Sequence, residues 1–423
     1  MDLSKLFDNN TDQARITNGT TRKLILKKKI FSILYLESNK TIADLCTPVN
    51  VSIPTMTRIM RELIEEEWVE ELGTGDSRGG RKPVFYGLNP FIRYVIGIEI
   101  TRKYTRINIF DLHNRPVGEM FQLDIELDKA PDMLEVLRSQ LDAFIIRNNI
   151  EKNKVLGAGI SIPGLLDKKS NINYSYPNLG EKPLNIVFTE LLQIPSFIEH
   201  DTKAIALGEA WFGLARNKSN ALCLNVGSGI GLGMIIKGEL YHGVSGFSGE
   251  FGHIQMIPEG QLCDCGKIGC LETVASGSAI VAKAKQMISE GTNSIIKKLV
   301  EGNTNAIRLP IIIKAAHQGD QFAIELIEES GDYLARGLAV LIHLLNPEMI
   351  IIGGELANAE NLIADPIQQK LNKYTINRIR QDTDIYISEL KEQAGLLGTI
   401  PVVMTNIFSQ EPNINNFNNT IIS

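Results

Sequence analysis

The sequence predicts an α/β protein in which an N-terminal winged helix-turn-helix precedes a larger domain of alternating strands and helices. Three observations support this fold class: helical periodicity in the first part of the chain, a glycine-rich pattern typical of a β-hairpin after it, and apolar runs that alternate with helical stretches from residue 94 onward. At 423 residues and 43% hydrophobic content, the chain can build two or three domains with cores of their own.

The charge and the cysteines restrict the class of protein. With 43 basic and 49 acidic residues the chain lacks a general coat for polyanions, although its first 90 residues leave room for a local basic face. Three of the five cysteines form a C-x-C-x4-C array, which indicates a reducing compartment rather than a disulfide framework. Since we see no apolar signal segment and no apolar run of membrane-spanning length, we expect a cytoplasmic protein without membrane spans.

Three helices are predicted in the first domain. Apolar residues recur at helical spacing over 22–36, which indicates the first helix. Thr41 and Asp44 are spaced as a capping box that begins a short second helix. Ser52 then precedes a third helix over 53–69. The tight turn between the second and third helices is typical of a helix-turn-helix.

The third helix and the hairpin after it carry the candidate DNA contacts. A recognition helix presents polar and basic side chains from its N-terminal half to the major groove, and a basic hairpin tip can grip phosphates or enter the minor groove. The alternative is a hairpin of a protein-interaction module. The candidate residues are Ser52, Thr55, Thr57, Arg58 and Arg61 on the helix, and Arg78, Arg81 and Lys82 on the wing.

A histidine and three cysteines lie close together near the middle of the chain. His253, Cys263, Cys265 and Cys270 form a closed set of four zinc ligands, so a structural Zn²⁺ site without an open position is predicted. The alternative is a reduced cluster that binds no metal.

Two further features follow predicted strands. Gly227, Gly229 and Gly231 could turn backbone N–H groups toward a phosphate, or could form a tight turn between two strands that needs no ligand. Asp201 ends another apolar run and precedes a helical stretch. Its carboxylate could serve as a general base on a hydroxyl, hydrogen-bond that hydroxyl, or cap the helix.

The segments GDSRGGRKPVFYGLNP, IEHDTKAIALGE, GSGIGLG, GVSGFSGEFGH and CDCGKIGCLE, in this order, resemble the ROK family, named for repressors, open reading frames and kinases. The resemblance covers about residues 22–410 and is to the repressor branch, typified by xylose and N-acetylglucosamine repressors. It implies a two-lobed, actin-like (RNase H-like) fold of the ATPase type. The implied parts are a DNA-binding domain over 1–90, a small lobe over 91–200 joined by a C-terminal helix over about 388–410, a large lobe over 201–387, and a flexible tail over 411–423.

The resemblance also implies a sugar pocket in the large lobe. Asp201 matches the catalytic base of the family's kinases, and His200 replaces an asparagine that is usual there. The metal cluster matches the family's structural zinc site. The positions that match the sugar-binding residues of the kinases are Asn178, His200, Asp201, Glu250, His253 and Glu272.

The nucleotide half of the implied cleft departs from the kinases. Those enzymes carry D-x-G-G-T at the first strand turn, whereas this chain has Glu99-Ile100-Thr101-Arg102-Lys103 and neither glycine. The side chains of Thr101 and Arg102 would fill space that phosphates need. We therefore expect no catalytic residue and no ATP cofactor, with the glycines at 227, 229 and 231 as a vestigial phosphate loop.

These observations lead to a functional hypothesis. The chain is expected to be a sugar-responsive transcriptional regulator, a repressor, that binds an inverted-repeat operator in double-stranded DNA as a homodimer or homotetramer. Its effector would be a sugar or a sugar phosphate. Two alternatives stay open: an active ATP-dependent sugar kinase with an appended DNA-binding domain, and a regulator whose signal is another protein.

Overall fold

The structure is a computed structural model that describes residues 18–75, 82–127 and 130–408. The predicted tail over 411–423 and the wing residues Arg78 and Arg81 lie outside this part of the chain. The α/β class is confirmed, since strands and helices alternate through most of the described residues. Among these residues, no helix combines the length and the apolar composition needed to cross a membrane.

The first domain consists of three helices and a β-hairpin. Their bounds are α1 (Asn18–Glu37), α2 (Ile42–Val49), α3 (Ile53–Glu65), β1 (Val69–Thr74) and β2 (Val84–Leu88). The capping box of α2 is present, because Thr41 Oγ1 accepts from the backbone N–H of Asp44 and the Asp44 carboxylate accepts from that of Thr41. The Ser52 hydroxyl lies 3.0 Å from the Thr55 hydroxyl and makes no hydrogen bond to the helix backbone.

Helix α3 is shorter than the predicted span of 53–69. It ends at Glu65, and Glu67 adopts a left-handed conformation with φ of 62°, which stops the helical hydrogen-bond ladder. The next residue, Trp68, is 1% exposed and packs edge-on against Phe31 of α1, with 5.5 Å between ring centroids. The chain thus leaves the helix where Trp68 can fill the core of the first domain.

Two five-stranded sheets with the same topology, together with the helices around them, form the rest of the described chain. In each sheet the first three strands are antiparallel, and the fourth and fifth strands add in parallel on the other side of the first. The first sheet contains β3 (Tyr94–Ile100), β4 (Thr105–Asp111), β5 (Phe121–Leu123), β6 (Val155–Ile162) and β9 (Ser196–His200), and a small hairpin beside it contains β7 (Leu166–Asp167) and β8 (Ile172–Asn173). The second sheet contains β10 (Asn220–Val226), β11 (Ile230–Ile236), β12 (Glu239–Leu240), β13 (Met349–Gly353) and β14 (Asp384–Ile387).

Helices make the crossover connections between parallel strands within each sheet, link the first sheet to the second, and follow the last described strand. They are α4 (Ala130–Arg147), α5 (Leu184–Leu192), α6 (Asp201–Phe212), α7 (Glu272–Ala275), α8 (Gly277–Ser289), α9 (Ile295–Leu299), α10 (Leu309–His317), α11 (Gln321–Leu345), α12 (Asn361–Tyr374), α13 (Asn377–Arg380) and α14 (Ala394–Phe408). One large hydrophobic core lies against each sheet, and a third core joins the first domain to α14.

The C-terminal helix α14 begins at Ala394, later than the predicted start near residue 388. Ser388 and the residues up to Gln393 instead form a turn, in which Lys391 has a φ of 49°. Helix α14 crosses β3 and β6 at Thr399, which is fully buried. A Cβ at Gly159 of β6 would collide with the Thr399 carbonyl, so the glycine allows the helix to lie directly on the sheet.

Candidate functional site

The carboxylates of Asp201 and Glu250 both lie near a buried lysine, Lys203. Asp201 is the first residue of α6, directly after β9. Lys203, which is 1% exposed, donates a hydrogen bond from Nζ to the Ser248 carbonyl at 2.9 Å and so ties α6 to the segment that carries Glu250. Burial lowers the pKa of Lys203, while the carboxylates of Glu199, Glu250 and Asp201 oppose that change. The sequence analysis missed Lys203.

Glu250, His253 and Glu272 meet beside the start of β11. Glu250 Oε2 lies 3.9 Å from His253 Nε2. Glu272 Oε2 accepts a hydrogen bond from the backbone N–H of Ile230 at 2.8 Å. A Cβ on Gly252, between Glu250 and His253, would lie 3.3 Å from the same Glu272 oxygen. The fold therefore groups these three polar side chains, which could together accept and donate hydrogen bonds to hydroxyl groups.

The other two sugar-binding candidates have protein partners. His200 Nδ1 lies 2.8 Å from the Thr202 hydroxyl and 3.1 Å from Asp201 Oδ1, so it lies beside the kinase-like carboxylate. Asn178 is on a short 3-10 helix of the part built on the first sheet, and its Nδ2 donates to the Leu127 carbonyl at 3.3 Å. Asn178 is thus oriented by a main-chain carbonyl of its own lobe.

Glu199 is a second buried charge that the sequence analysis missed. It is 4% exposed, and its Oε2 lies 2.8 Å from Lys168 Nζ and 2.9 Å from His242 Nε2. Burial favours the protonated carboxyl, but Lys168 and His242 outweigh burial and lower the pKa of Glu199 to about 2. Lys168 follows β7 and His242 follows β12, so the carboxylate links the two sheets next to His200. In the sequence, only its position directly before His200 could have drawn attention to Glu199.

The glycines at 227, 229 and 231 form the turn and the strand start between β10 and β11. The Gly227 backbone N–H donates to the Gly229 carbonyl at 3.0 Å, as in a tight turn between antiparallel strands. A Cβ at Gly229 would meet the Glu272 carboxylate, and one at Gly231 would meet the Thr202 side chain of α6. The glycines therefore make room for Glu272 and α6. A vestigial phosphate-binding role stays a prediction.

Charged side chains of β3 and β4 lie beside the first strand turn. Glu99 is 8% exposed, and Arg106 NH1 lies 3.7 Å from its Oε2, an atom without a hydrogen-bond partner among the described residues. The Arg106 guanidinium is bound to Glu392 at 2.9 Å and stacks on Tyr104 at 4.6 Å. Burial raises the pKa of Glu99 to about 7, although Arg106 opposes this. In this turn the Thr101 hydroxyl donates to the Tyr104 carbonyl.

The His and Cys side chains are grouped as a metal centre requires. The ligand atoms of His253, Cys263, Cys265 and Cys270 all lie within 4.8 Å of one another. Cys265 Sγ is 3.7 Å from Cys270 Sγ, and Cys263 Sγ is 3.6 Å from His253 Nδ1. In a tetrahedron with Zn–S bonds of about 2.3 Å and a Zn–N bond of about 2.0 Å, the ligand atoms are about 3.5 to 3.8 Å apart. The four residues therefore fit a tetrahedral metal ion.

The orientation of His253 links the metal centre to the carboxylates. Its Nδ1 faces Cys263, whereas its Nε2 faces Glu250. A histidine that binds a metal through one ring nitrogen carries its proton on the other, and that N–H usually meets a carboxylate or another acceptor. One ring can thus be a metal ligand and a hydrogen-bond donor beside Glu250.

The two candidate arginines of α3 are accessible to solvent. Arg58 and Arg61 are exposed, and Arg58 has only a 3.4 Å contact with Glu62. The hydroxyl of Thr57 donates to the Ile53 carbonyl at 2.9 Å, which limits it to one further role as an acceptor. Lys82 is also exposed, in the loop that joins the two strands of the hairpin.

Two lysines of the basic N-terminal segment form ion pairs with glutamates at the C-terminal end of α3. Lys27, 1% exposed, lies 2.6 Å from Glu66, and Lys23 lies 2.7 Å from Glu62. These ion pairs join α1 to the acidic second half of α3 and to the residue that follows its C-terminal end. These pairs offset the charges of Glu62 and Glu66, whereas Glu65 and Glu67 stay exposed, so the C-terminal end of α3 keeps part of its acidic charge.

A family model described as the ROK family matches residues 95–406. The chain belongs to the ROK family. A xylose repressor of Caldicellulosiruptor bescii is 31% identical over 397 residues, which are 91% of this chain and 98% of the relative. The relationship therefore spans both the ROK part and most of the first domain.

Two solved ROK structures extend the comparison. A ROK transcriptional regulator, a homologue of the E. coli MLC protein, has a TM-score of 0.76 at 26% identity and covers 92% of this chain and 97% of its own. A ROK glucokinase from Streptomyces griseus, in complex with glucose and AMPPNP, has a TM-score of 0.67 at 28% identity and covers 74% and 99%. The actin-like fold is confirmed. The solved regulator aligns with a larger part of this chain than the solved kinase does.

Proposed function

We propose that this ROK protein is a sugar-responsive transcriptional repressor. The observation that carries the proposal is the combination, in one chain, of a winged helix-turn-helix with an exposed basic helix face and a ROK fold with grouped carboxylates. The relative named a xylose repressor and the solved ROK regulator support it. Repression requires that the protein bind its operator without the sugar and release it with the sugar.

On the DNA side, Arg58 and Arg61 are the proposed contacts to base edges or phosphates. A bidentate arginine–guanine pair contributes about 1 to 3 kcal/mol of discrimination. In a two-fold symmetric dimer the recognition helices of the two copies would lie about 34 Å apart, one turn of B-DNA, on an inverted repeat. The wing, with Lys82 in its connecting loop, would contact phosphates beside each half-site.

On the sugar side, the carboxylates of Asp201, Glu250 and Glu272 are the proposed acceptors for sugar hydroxyls. The Nε2 proton of His253 would supply a donor, and Asn178 and His200 would complete the pocket when the lobes approach each other. Lys203 carries the opposite charge near Asp201 and Glu250, and its attraction offsets the repulsion between the two carboxylates. The effector class is a sugar or a sugar derivative.

The metal centre is proposed to hold a structural Zn²⁺. His253, Cys263, Cys265 and Cys270 would be its ligands, which leaves no open position for a catalytic water. When bound, the ion cross-links the segment before α7 and fixes the His253 ring. His253 would then direct its Nε2 toward Glu250 and toward a bound sugar.

The kinase alternative rests on Asp201, which matches the catalytic base, and on the structural similarity to the glucokinase. The buried Glu99 of β3 and the Arg106–Glu392 pair argue against it, since they place protein charges beside the first strand turn. An ADP-release assay with ATP and a panel of hexoses, xylose and N-acetylhexosamines tests the alternative. Turnover that Asp201→Asn abolishes would establish the kinase and refute a purely regulatory role.

A mobility-shift experiment tests the repressor proposal. The probe is the DNA upstream of the chain's own gene, and the effectors are xylose, glucose, N-acetylglucosamine and their phosphates. Release by one of these compounds is the expected result. Binding that no sugar affects would favour a protein signal, and the absence of specific DNA binding would refute the proposal.

A further inference from the structure

An aromatic contact joins the first domain to the ROK fold. Tyr35 of α1 is 8% exposed, and its ring centroid lies 6.1 Å from that of Trp211 of α6 and 5.7 Å from that of Phe408 of α14. The Tyr35 hydroxyl donates a hydrogen bond to Asn114 Oδ1, in the turn after β4. One residue of the DNA-binding domain is thus held by three separate elements of the ROK fold.

Helix α6 connects this aromatic contact directly to the candidate sugar site. Asp201 is its first residue, and Trp211 is the last but one. Since an α-helix rises about 1.5 Å per residue, the helix spans about 18 Å without an intervening loop. A displacement of the carboxylate end is therefore transmitted to the Trp211 end as a shift or tilt of one rigid element.

Helices α6 and α14 are packed too closely to move independently. A Cβ at Gly208 of α6 would collide with the Ala394 carbonyl, and one at Gly398 of α14 would collide with the Ala204 carbonyl. Glu209 of α6, 1% exposed, also accepts a hydrogen bond from the Ser388 hydroxyl ahead of α14. Because closely packed interiors deform little, the two helices behave as one body that reaches α1 through both Trp211 and Phe408.

Within the first domain, α1 is joined to the recognition helix by its core and by charge. Phe31 and Leu34 share a hydrophobic cluster with Met56 and Ile59 of α3. Lys27 adds the 2.6 Å ion pair with Glu66 just beyond the end of α3. A change in the position of Tyr35 therefore changes the position of α3 relative to the ROK fold.

We propose that the sugar signal reaches the recognition helix through the α6–α14 pair and is delivered at the contact of Trp211 with Tyr35. Both are positioning residues, since they belong neither to the sugar pocket nor to the DNA surface. The inference rests on the proposed function. A sugar can shift the placement of α6 only by its difference in affinity for the two placements, so the measure of this contact is the coupling between sugar and operator binding.

The test measures the operator Kd with and without saturating sugar, using whichever of xylose, glucose and N-acetylglucosamine most strongly releases the wild-type protein. The variants are Trp211→Leu and Tyr35→Leu, each of which removes one ring of the contact. The matched control is Tyr374→Phe, which removes a hydroxyl bond of 2.8 Å to Asp332 away from α6. In Trp211→Leu and Tyr35→Leu the ratio of the two Kd values should fall about fivefold or more toward one, because the ring contact is lost. The control should keep the wild-type ratio.

Sugar affinity of the DNA-free protein and operator affinity of the sugar-free protein should both stay at wild-type values in these variants. Wild-type ratios in both variants would overturn the inference and leave the proposed function intact. Loss of sugar affinity in both would also overturn it, because the residues would then belong to the pocket. A wild-type protein that binds its operator but is released by no sugar would refute the proposed function, and the inference with it.

Discussion

At the scale of single residues, Glu99 makes stability depend on pH. Burial raises the pKa of this carboxyl from 4.5 to about 7 in the folded protein. Since the folded value lies above the unfolded one, the protonated form favours folding. Its contribution is complete below about pH 4.5 and is lost as the pH rises through about 7. A shift of this size corresponds to at most about 3 kcal/mol between those limits. We expect Glu99→Gln, which stays neutral, to raise the free energy of unfolding at pH 8 and to leave it nearly unchanged at pH 5. Urea denaturation at both pH values measures this, with the exposed Glu328→Gln as control. A glutamine variant that is less stable than the wild type at pH 8 would show that the ion pair with Arg106 outweighs burial.

At the scale of elements, α3 separates the residues proposed to contact DNA from those that pack in the core. Met56, Ile59 and Leu63 fill the core, while Arg58 is 61% exposed by side chain and has one weak ion pair. We therefore expect Arg58→Ala to weaken operator binding by about 1 to 3 kcal/mol. The unfolding free energy should change by less than about 0.5 kcal/mol, as for other surface substitutions. Titrations of a labelled operator at several salt concentrations measure the effect. Arg138→Ala, an exposed arginine on α4, is the matched control and should bind like the wild type. Equal affinities of Arg58→Ala and this control would remove Arg58 from the interface.

At the scale of the whole molecule, the proposed metal centre would connect stability to the proposed sugar pocket. Its four ligands come from two segments, and His253 lies between Cys263 and Glu250. We expect the double variant Cys263→Ser, Cys265→Ser to lose bound zinc, lower the melting temperature and weaken the sugar response together. Structural zinc contributes about 10 kcal/mol or more of binding free energy in small sites, so the loss should be large. Metal analysis, thermal unfolding and the operator-release assay measure the three effects, with Cys46→Ser in the first domain as control. Loss of zinc with an unchanged sugar response would separate the metal from the pocket.

The elements with strong local signals were predictable. The capping box at Thr41, the hairpin after Trp68 and the apolar runs of the two sheets depend on neighbouring residues, and each is present. Boundaries were less predictable, because tertiary packing decides them. Helix α3 ends early where Trp68 enters the core, and α14 begins late where Ser388 bonds to Glu209. The duplicated topology of the two sheets left no repeat in the sequence, because strand order depends on packing rather than on similar residues.

By itself, the sequence determined the α/β class, the winged helix-turn-helix and the family, because periodicity and motif spacing are local properties of the chain. It also indicated the four metal ligands, whose spacing is short. Only the tertiary structure decided which charges meet. Lys23 and Lys27 pair with Glu62 and Glu66 at the C-terminal end of α3, Glu199 joins two lobes, and Tyr35 meets Trp211. These contacts join residues far apart in the chain, so their energies arise only when folding removes water and brings the partners together.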